Sequence, residues 1–117
     1  MADSPLIIKS KRFALEIIKI CDSVKTEKRE SVLTNQLLRS GTSIGANVHE
    51  ANYAQSKADF ISKLQIALKE CYETEYWLKL FEKSEIVTAE NISKYINDCG
   101  KIRRLLISSV NTAKTNK

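Results

Sequence analysis

Apolar residues recur every three or four positions in four segments of the chain, which is the spacing of one side of an α-helix. The segments predict helices over about residues 5–25, 30–53, 57–82 and 89–112. The apolar positions are Phe13, Ile17, Ile20, Cys21 and Val24; then Leu33, Leu37, Ile44, Val48 and Ala51; then Phe60, Leu64, Ala67, Leu68, Cys71, Leu78 and Phe81; and finally Ile92, Ile96, Cys99, Ile102, Leu106 and Val110.

Short polar connections separate the predicted helices. Ser4-Pro5 is a typical start for the first helix, Ser56 with Asp59 matches a capping box for the third, and Thr88 is expected to cap the fourth. Connections of a few residues force consecutive helices to be antiparallel neighbours. We therefore predict a single all-α domain over residues 1–117, an antiparallel up-down-up-down four-helix bundle.

The composition agrees with helices and excludes several other classes of protein. The chain has 117 residues with only three glycines and one proline, whereas all-β folds use such residues freely in turns. No apolar run approaches the roughly 20 residues that cross a bilayer, and the N-terminus lacks the pattern of a signal peptide. We expect a cytoplasmic protein without a membrane partner.

Two glycines four residues apart, Gly41 and Gly45, interrupt the second helix. Each costs about 1 kcal/mol relative to alanine, so a close approach by another helix is needed to offset them. That helix belongs either to the same bundle or to another subunit. A phosphate-binding loop is not indicated, because the lysine and the spacing of a Walker motif are missing.

A polar ridge formed by Arg39, Ser43, Asn47 and Glu50 follows the same helix at helical spacing. The acidic third helix offers partners, and we predict that Arg39 pairs with Glu73 or Glu75. Such a network more often fixes the register of two helices than performs chemistry. If the pair is buried, removal of one partner is expected to cost about 3–5 kcal/mol.

No catalytic or metal site is indicated by the reactive residues. The three cysteines, Cys21, Cys71 and Cys99, form no CxxC pair and fall on apolar helical positions, so we interpret them as reduced core residues. His49 is the only histidine and has Ala46 where a di-iron bundle requires glutamate. We predict that the protein is not an enzyme and needs no cofactor.

The chain resembles a known family over nearly its whole length. The matching segments are residues 36–51, Ser56, Asp59-Phe60, residues 64–67 and 70–78, and Lys9-Ser10 with Phe13-Ala14; the most specific part is Arg39-Ser40-x-x-Ser43-Ile44-x-x-Asn47. It is similar to the bacterial four-helix-bundle family encoded in intervening sequences of large-subunit ribosomal RNA genes, whose members are sometimes labelled ribosomal proteins. The resemblance implies a homopentameric barrel. It also implies kinship with the accessory variability protein of retroelements, which binds nucleic acid and a reverse transcriptase.

Positive charge is concentrated near the two ends of the chain. The net charge is +5, yet residues 9–29 hold seven Lys or Arg and three acids, and residues 101–117 hold five and no acid. Because the first and fourth helices of such a bundle are neighbours, we expect a basic strip beside the tail with Lys114 and Lys117. The candidate residues are Lys9, Lys11, Arg12, Lys101, Arg103, Arg104 and Lys114.

A basic strip on one side is typical of a protein that binds the phosphate backbone of RNA or DNA. The aromatic residues Tyr72, Tyr76, Trp77 and Phe81 lie on the acidic third helix, so no stacking platform is expected on the strip. Tyr76 and Trp77 point about 100° apart, and one of them is expected at a subunit interface. The alternative is a structural or protein-interaction scaffold without a nucleic-acid role.

Overall fold

Four α-helices make up almost all of residues 4–87 and 89–116, the part of the chain that the computed structural model describes. They are α1 (Pro5–Lys28), α2 (Val32–Asn52), α3 (Lys57–Ser84) and α4 (Ala89–Thr115). Each helix packs against its neighbours in the chain, and α1 also contacts α4. The result is an elongated bundle of 50 × 22 × 19 Å, which confirms the predicted all-α, four-helix architecture. None of the described helices has an apolar stretch long enough to cross a bilayer.

Side-chain caps set the ends of the helices. The Ser4 hydroxyl accepts a hydrogen bond from the Ile7 N–H (3.2 Å), and the Ser56 hydroxyl accepts one from the Asp59 N–H (3.0 Å). The predicted cap at Thr88 lies outside the described residues. α1 continues three residues past its predicted end, since lysine and glutamate interrupt the apolar pattern while favouring helix. It stops where Arg29 adopts a left-handed conformation (φ 54°).

Glu30 organises the first turn of α2. Its carboxylate accepts hydrogen bonds from the Leu33 N–H (2.9 Å), the Thr34 N–H (3.0 Å) and the Thr34 hydroxyl (2.6 Å). Desolvation alone would raise the pKa of Glu30, but these hydrogen bonds to the charged form outweigh it and hold the pKa below its ordinary value of 4.5. The helix begins at Val32, two residues later than the sequence pattern predicts; Ser31 is its N-cap residue, and the Glu30 side chain caps the N–H groups of the first turn.

The core is a single cluster that takes one apolar side from each helix. Ile17, Leu37, Leu64, Leu78 and Leu106 are among the most completely buried side chains. Two of the buried hydroxyls meet between helices, where Ser40 of α2 and Thr74 of α3 are 3.0 Å apart. The Thr74 hydroxyl donates to the Glu70 carbonyl (2.7 Å), so this polar pair is satisfied within the core.

The glycines of α2 let α1 approach closely. A Cβ atom at Gly45 would lie 3.3 Å from the backbone oxygen of Ser10, and one at Gly41 would lie 2.9 Å from the Ile17 side chain. Both contacts are to α1 of the same chain, which is the first of the two interpretations that the sequence left open. α1 contacts α4 far less extensively than it contacts α2. The bundle is thus closed on one side of α1 and partly open on the other.

Gly45→Ala tests this close approach. Alanine favours the helix by about 1 kcal/mol, but the new methyl group meets backbone of α1, which can yield only if the whole helix moves. Overpacking of this kind costs about 1–3 kcal/mol, so we expect a net loss of stability in urea unfolding. The matched control is Gly100→Ala, whose methyl group would meet only flexible arginine ends at 3.5 Å. That variant should gain up to about 1 kcal/mol; an equal gain at Gly45 would contradict the close approach.

Glu30→Gln tests the cap of α2. Because the folded pKa of Glu30 is lowered, its contribution is complete above the unfolded value near 4.5 and is lost as the pH falls through the folded value. We expect the variant to be less stable by about 1 kcal/mol at pH 7, the usual contribution of a cap, and equally stable near pH 2. Thermal unfolding across this range measures the difference. Glu27→Gln, at an exposed position on α1, is the control for the loss of one carboxylate and should change the stability at pH 7 little.

Candidate nucleic-acid interface

Four of the eight residues that line a cleft between α1 and α4 are cations. It has a volume of about 320 Å³, and its cations are Lys9 and Arg12 from α1 and Lys94 and Lys101 from α4. The acidic residues of the cleft are Glu16 and Asp98, and its floor includes Phe13 and Ile102. Four cations therefore face two acids in a concave site, where charge interactions are screened less than on an open surface.

One ion pair crosses this cleft. Lys94 Nζ lies 3.7 Å from Glu16 Oε1. Lys9, Arg12 and Lys101 form no ion pair with any other residue of the described chain. Three cations of the cleft are thus available to an external anion.

The register of α1 on α4 differs from the expected one. Glu16 lies opposite Lys94, and Lys9 and Arg12 share the cleft with Lys101. The expectation that Lys9 and Arg12 lie beside the tail is wrong, because α4 extends well past the start of α1. Lys114 is 13 residues beyond Lys101, or about 20 Å along the helix, and Lys117 lies outside the described residues.

The remaining basic candidates do not line this cleft. Lys11 is exposed on α1, beside the contact with α2, where its backbone nitrogen lies 3.9 Å from the Cβ position of Gly45. Arg103 turns towards α3 and donates from Nε to Glu75 Oε1 (2.7 Å). Arg104 and Arg103 line a second cleft, on the other side of α4.

This second cleft, between α3 and α4, has a volume of about 290 Å³. Its cations are Lys79, Lys101, Arg103 and Arg104, and its acid is Glu75. Lys101 therefore borders both clefts. The hydrogen bond to Glu75 raises the pKa of Arg103 against the opposing effect of desolvation, so this guanidinium stays charged.

An aromatic ring lies beside one cation of the second cleft, contrary to the expectation from sequence. The Arg103 guanidinium lies 5.9 Å from the centroid of the Tyr72 ring, and Tyr72 is 52% exposed. The expectation failed because Tyr72 lies in the acidic stretch of α3 between Glu70 and Glu75, and only the packing of α3 against α4 brings it beside Arg103. Tyr76 is also exposed but packs edge-on against Trp77 at 5.1 Å, and Trp77 contacts the core.

The polar ridge of α2 faces α3. Arg39 forms ion pairs with Glu73 and with Glu70 (3.4 Å), while Glu75 pairs with Arg103 instead. The Arg39 side chain is 48% exposed, so the pair belongs to the surface class worth about 0–1 kcal/mol, not to the buried class considered above. The ridge lies at the helix interface without forming a reactive site.

Glu50 of the ridge pairs with Lys63 of α3 (3.5 Å), whereas Ser43 and Asn47 form hydrogen bonds within their own helix. The Ser43 hydroxyl donates to the Arg39 carbonyl (2.6 Å), and the Asn47 amide donates to the Ser43 carbonyl (2.9 Å). Both side chains therefore satisfy their polar groups within α2. Their contribution is local and structural.

The cysteines lie in the core, where their thiols are protected. Burial raises the pKa of Cys21 to about 11, although Lys25 partly opposes it. A hydrogen bond with Cys71, and then burial, raise the pKa of Cys99. Neutral, enclosed thiols are poor nucleophiles. Across residues 4–87 and 91–116, His, Cys, Asp and Glu side chains form no group of three that could hold a metal ion.

Two cations of the clefts, Lys94 and Lys79, were not among the residues predicted from sequence. Both lie in segments whose charges nearly cancel, so a count of charge along the chain gives no signal for them. The antiparallel pairing of α1 with α4 would have indicated Lys94, provided that the offset between the helices was known.

Comparisons with known proteins agree with this architecture. The model of a family described as "23S rRNA-intervening sequence protein" matches residues 3–108. A crystal structure from Bacteroides thetaiotaomicron VPI-5482, of a protein with unknown function from the S23 ribosomal protein family, is 50% identical in sequence. It has a TM-score of 0.88, and the match covers 90% of this chain and 97% of that one. A search of curated proteins found no match.

Proposed function

The chain belongs to the family of 23S rRNA-intervening sequence proteins, and we propose that it is a non-catalytic, homo-oligomeric bundle that binds nucleic acid without sequence specificity. The observation that supports this function is the cleft between α1 and α4, in which Lys9, Arg12 and Lys101 have no ion-pair partner among the described residues. The name of the family refers to ribosomal RNA genes, which makes RNA or DNA the appropriate polyanion to test.

Phosphate contacts are the interactions that this cleft can make. Lysine and arginine ends release counterions from a nucleic-acid backbone and so provide affinity that does not depend on sequence. Reading of base edges requires a helix or ribbon that enters a groove, and the cations here stand at the rim of a cleft between two packed helices. The binding that this geometry supports is electrostatic, and we expect it to be strongly dependent on salt.

An exposed apolar row on α1 supports the oligomer. Ile8, Leu15 and Ile18 are 46%, 55% and 47% exposed, and their spacing places them along one side of the helix. An exposed apolar row of this kind is a surface that subunits cover. We propose that a second copy of the chain covers this row, and the resemblance to the family indicates a pentamer.

Fluorescence anisotropy with labelled RNA and DNA tests the nucleic-acid interface. We expect wild-type protein to bind both at low salt, with a log–log salt slope of about 0.9 per phosphate contacted on duplex DNA. Lys9→Glu with Arg12→Glu should weaken binding at least about tenfold and lower the slope by about two contacts, because two cations of the cleft are reversed. The control, Lys57→Glu with Lys69→Glu, changes the net charge equally at exposed positions outside both clefts.

The results of this experiment distinguish binding in the cleft from binding by net charge and from the absence of a nucleic-acid role. Equal weakening by both double variants would indicate that net charge, and not the cleft, controls binding. If wild-type protein fails to bind any nucleic acid at low salt, the nucleic-acid role is wrong, and a structural or protein-interaction bundle, including one that docks a reverse transcriptase, becomes the better account.

Light scattering tests the oligomer independently. For a pentamer we expect five times the chain mass of 13.3 kDa at micromolar concentration. Leu15→Glu should dissociate it, since a charge would be buried without a partner at the proposed contact. Ile66→Glu, at an apolar position on α3 that is 40% exposed, is the control and should leave the mass unchanged. A monomer mass for wild-type protein would contradict the proposal.

A further inference from the structure

Two guanidinium groups converge over Gly100 in the cleft between α3 and α4. The position that a Cβ atom would occupy on Gly100 lies 3.5 Å from Nη2 of Arg103 and 3.5 Å from Nη1 of Arg104. The two nitrogens are therefore no more than about 7 Å apart, because each lies 3.5 Å from the same point. Like charges at this separation repel each other, and an anion between them would relieve that repulsion.

The local charges leave this cleft positive. The Glu75 carboxylate accepts a hydrogen bond from Nε of Arg103, and its side chain is only 14% exposed. This carboxylate therefore neutralises one arginine of the cleft. Arg104, Lys79 and Lys101 have no ion pair within the described chain. Arginine nitrogens match the oxygens of a phosphate group, with which they form charge-assisted hydrogen bonds.

Tyr72 stands beside this group of cations with much of its ring accessible. The Arg103 guanidinium lies 5.9 Å from the ring centroid, which places the cation next to the aromatic face, and the side chain remains 52% exposed. A flat ring next to a phosphate-binding group is the combination that single-strand binding proteins use, in which a base stacks on the ring while cations hold the backbone.

We propose that the cleft between α3 and α4 binds a phosphate of single-stranded nucleic acid and that the adjacent unpaired base stacks on Tyr72. A base within a duplex already stacks on both faces, so only an unpaired base has a face to offer. This inference rests on the proposed function and extends it. The cleft between α1 and α4 holds backbone of any kind, whereas the cleft between α3 and α4, with Tyr72 beside its Arg103, favours single strands.

The test compares a labelled 12-nucleotide oligoadenylate with a duplex of the same length. Tyr72→Leu should weaken binding of the single strand about fivefold or more, the lower end of the effect of one base–aromatic stack, and leave duplex binding unchanged. Tyr72→Phe keeps the ring and should bind as wild type does. Tyr76→Leu, at a tyrosine one turn away that packs on Trp77, is the control and should have no effect.

A change in the ligand tests the same contact without altering the protein. An oligonucleotide of equal length with abasic sugars keeps every phosphate, so wild-type protein should bind it about fivefold more weakly than oligoadenylate, and Tyr72→Leu should bind both equally. Arg104→Gln should lower the salt slope for the single strand by about 0.7, the value for one phosphate contact.

Two further results would contradict the stacking of a base on Tyr72 while leaving the proposed function intact, and a third would contradict both. If Tyr72→Leu weakens single strand and duplex equally, or neither, while wild-type protein binds nucleic acid, the stacking site is wrong and the proposed function stands. If wild-type protein binds no nucleic acid at low salt, both are wrong. Equal affinity of wild-type protein for the abasic and the intact strand would contradict the stacked base directly.

Discussion

The contact of Gly45 with the backbone of Ser10 sets the position of α1, on which the arrangement of the surface depends. A Cβ atom at this position would lie 3.3 Å from a main-chain oxygen of α1, which is tighter than an ordinary van der Waals contact. Because α1 is drawn towards α2, its contact with α4 is sparse, and a cleft of about 320 Å³ remains between them. The two glycines lower the stability of α2 as an isolated helix, and the close packing against α1 offsets this cost.

The clefts beside α4 differ from the rest of the surface in how their charges are arranged. On α2 and the facing side of α3, cations and acids neutralise each other, as with Arg39 and Glu73 or Lys63 and Glu50. Along α4 the acids are fewer, and Lys101 borders a cleft on each side. The positions of the cations that lack an ion-pair partner in the described chain therefore indicate a binding surface better than the net charge of +5 does.

The architecture could be predicted from sequence because it depends on periodicity and short connections, which are local properties. The capping roles of Ser4 and Ser56 could likewise be predicted from sequence. The composition of the clefts was not, since it depends on the offset between helices that are distant in the chain. The sequence grouped Arg103 with the basic strip, but its position on α4 turns it towards Glu75. It also treated Tyr72 as part of an acidic surface, and only the packing of α3 on α4 places that ring beside a guanidinium.

Lysine footprinting most directly tests the central claim that unpaired cations of the cleft between α1 and α4 bind phosphate. An amine-reactive reagent modifies exposed lysines with and without saturating nucleic acid, and mass spectrometry measures the change at each position. The account predicts protection of Lys9 and Lys101 and unchanged labelling of Lys57 and Lys69, which are exposed outside the clefts. Equal protection at all four lysines, or protection of Lys57 and Lys69 alone, would contradict it.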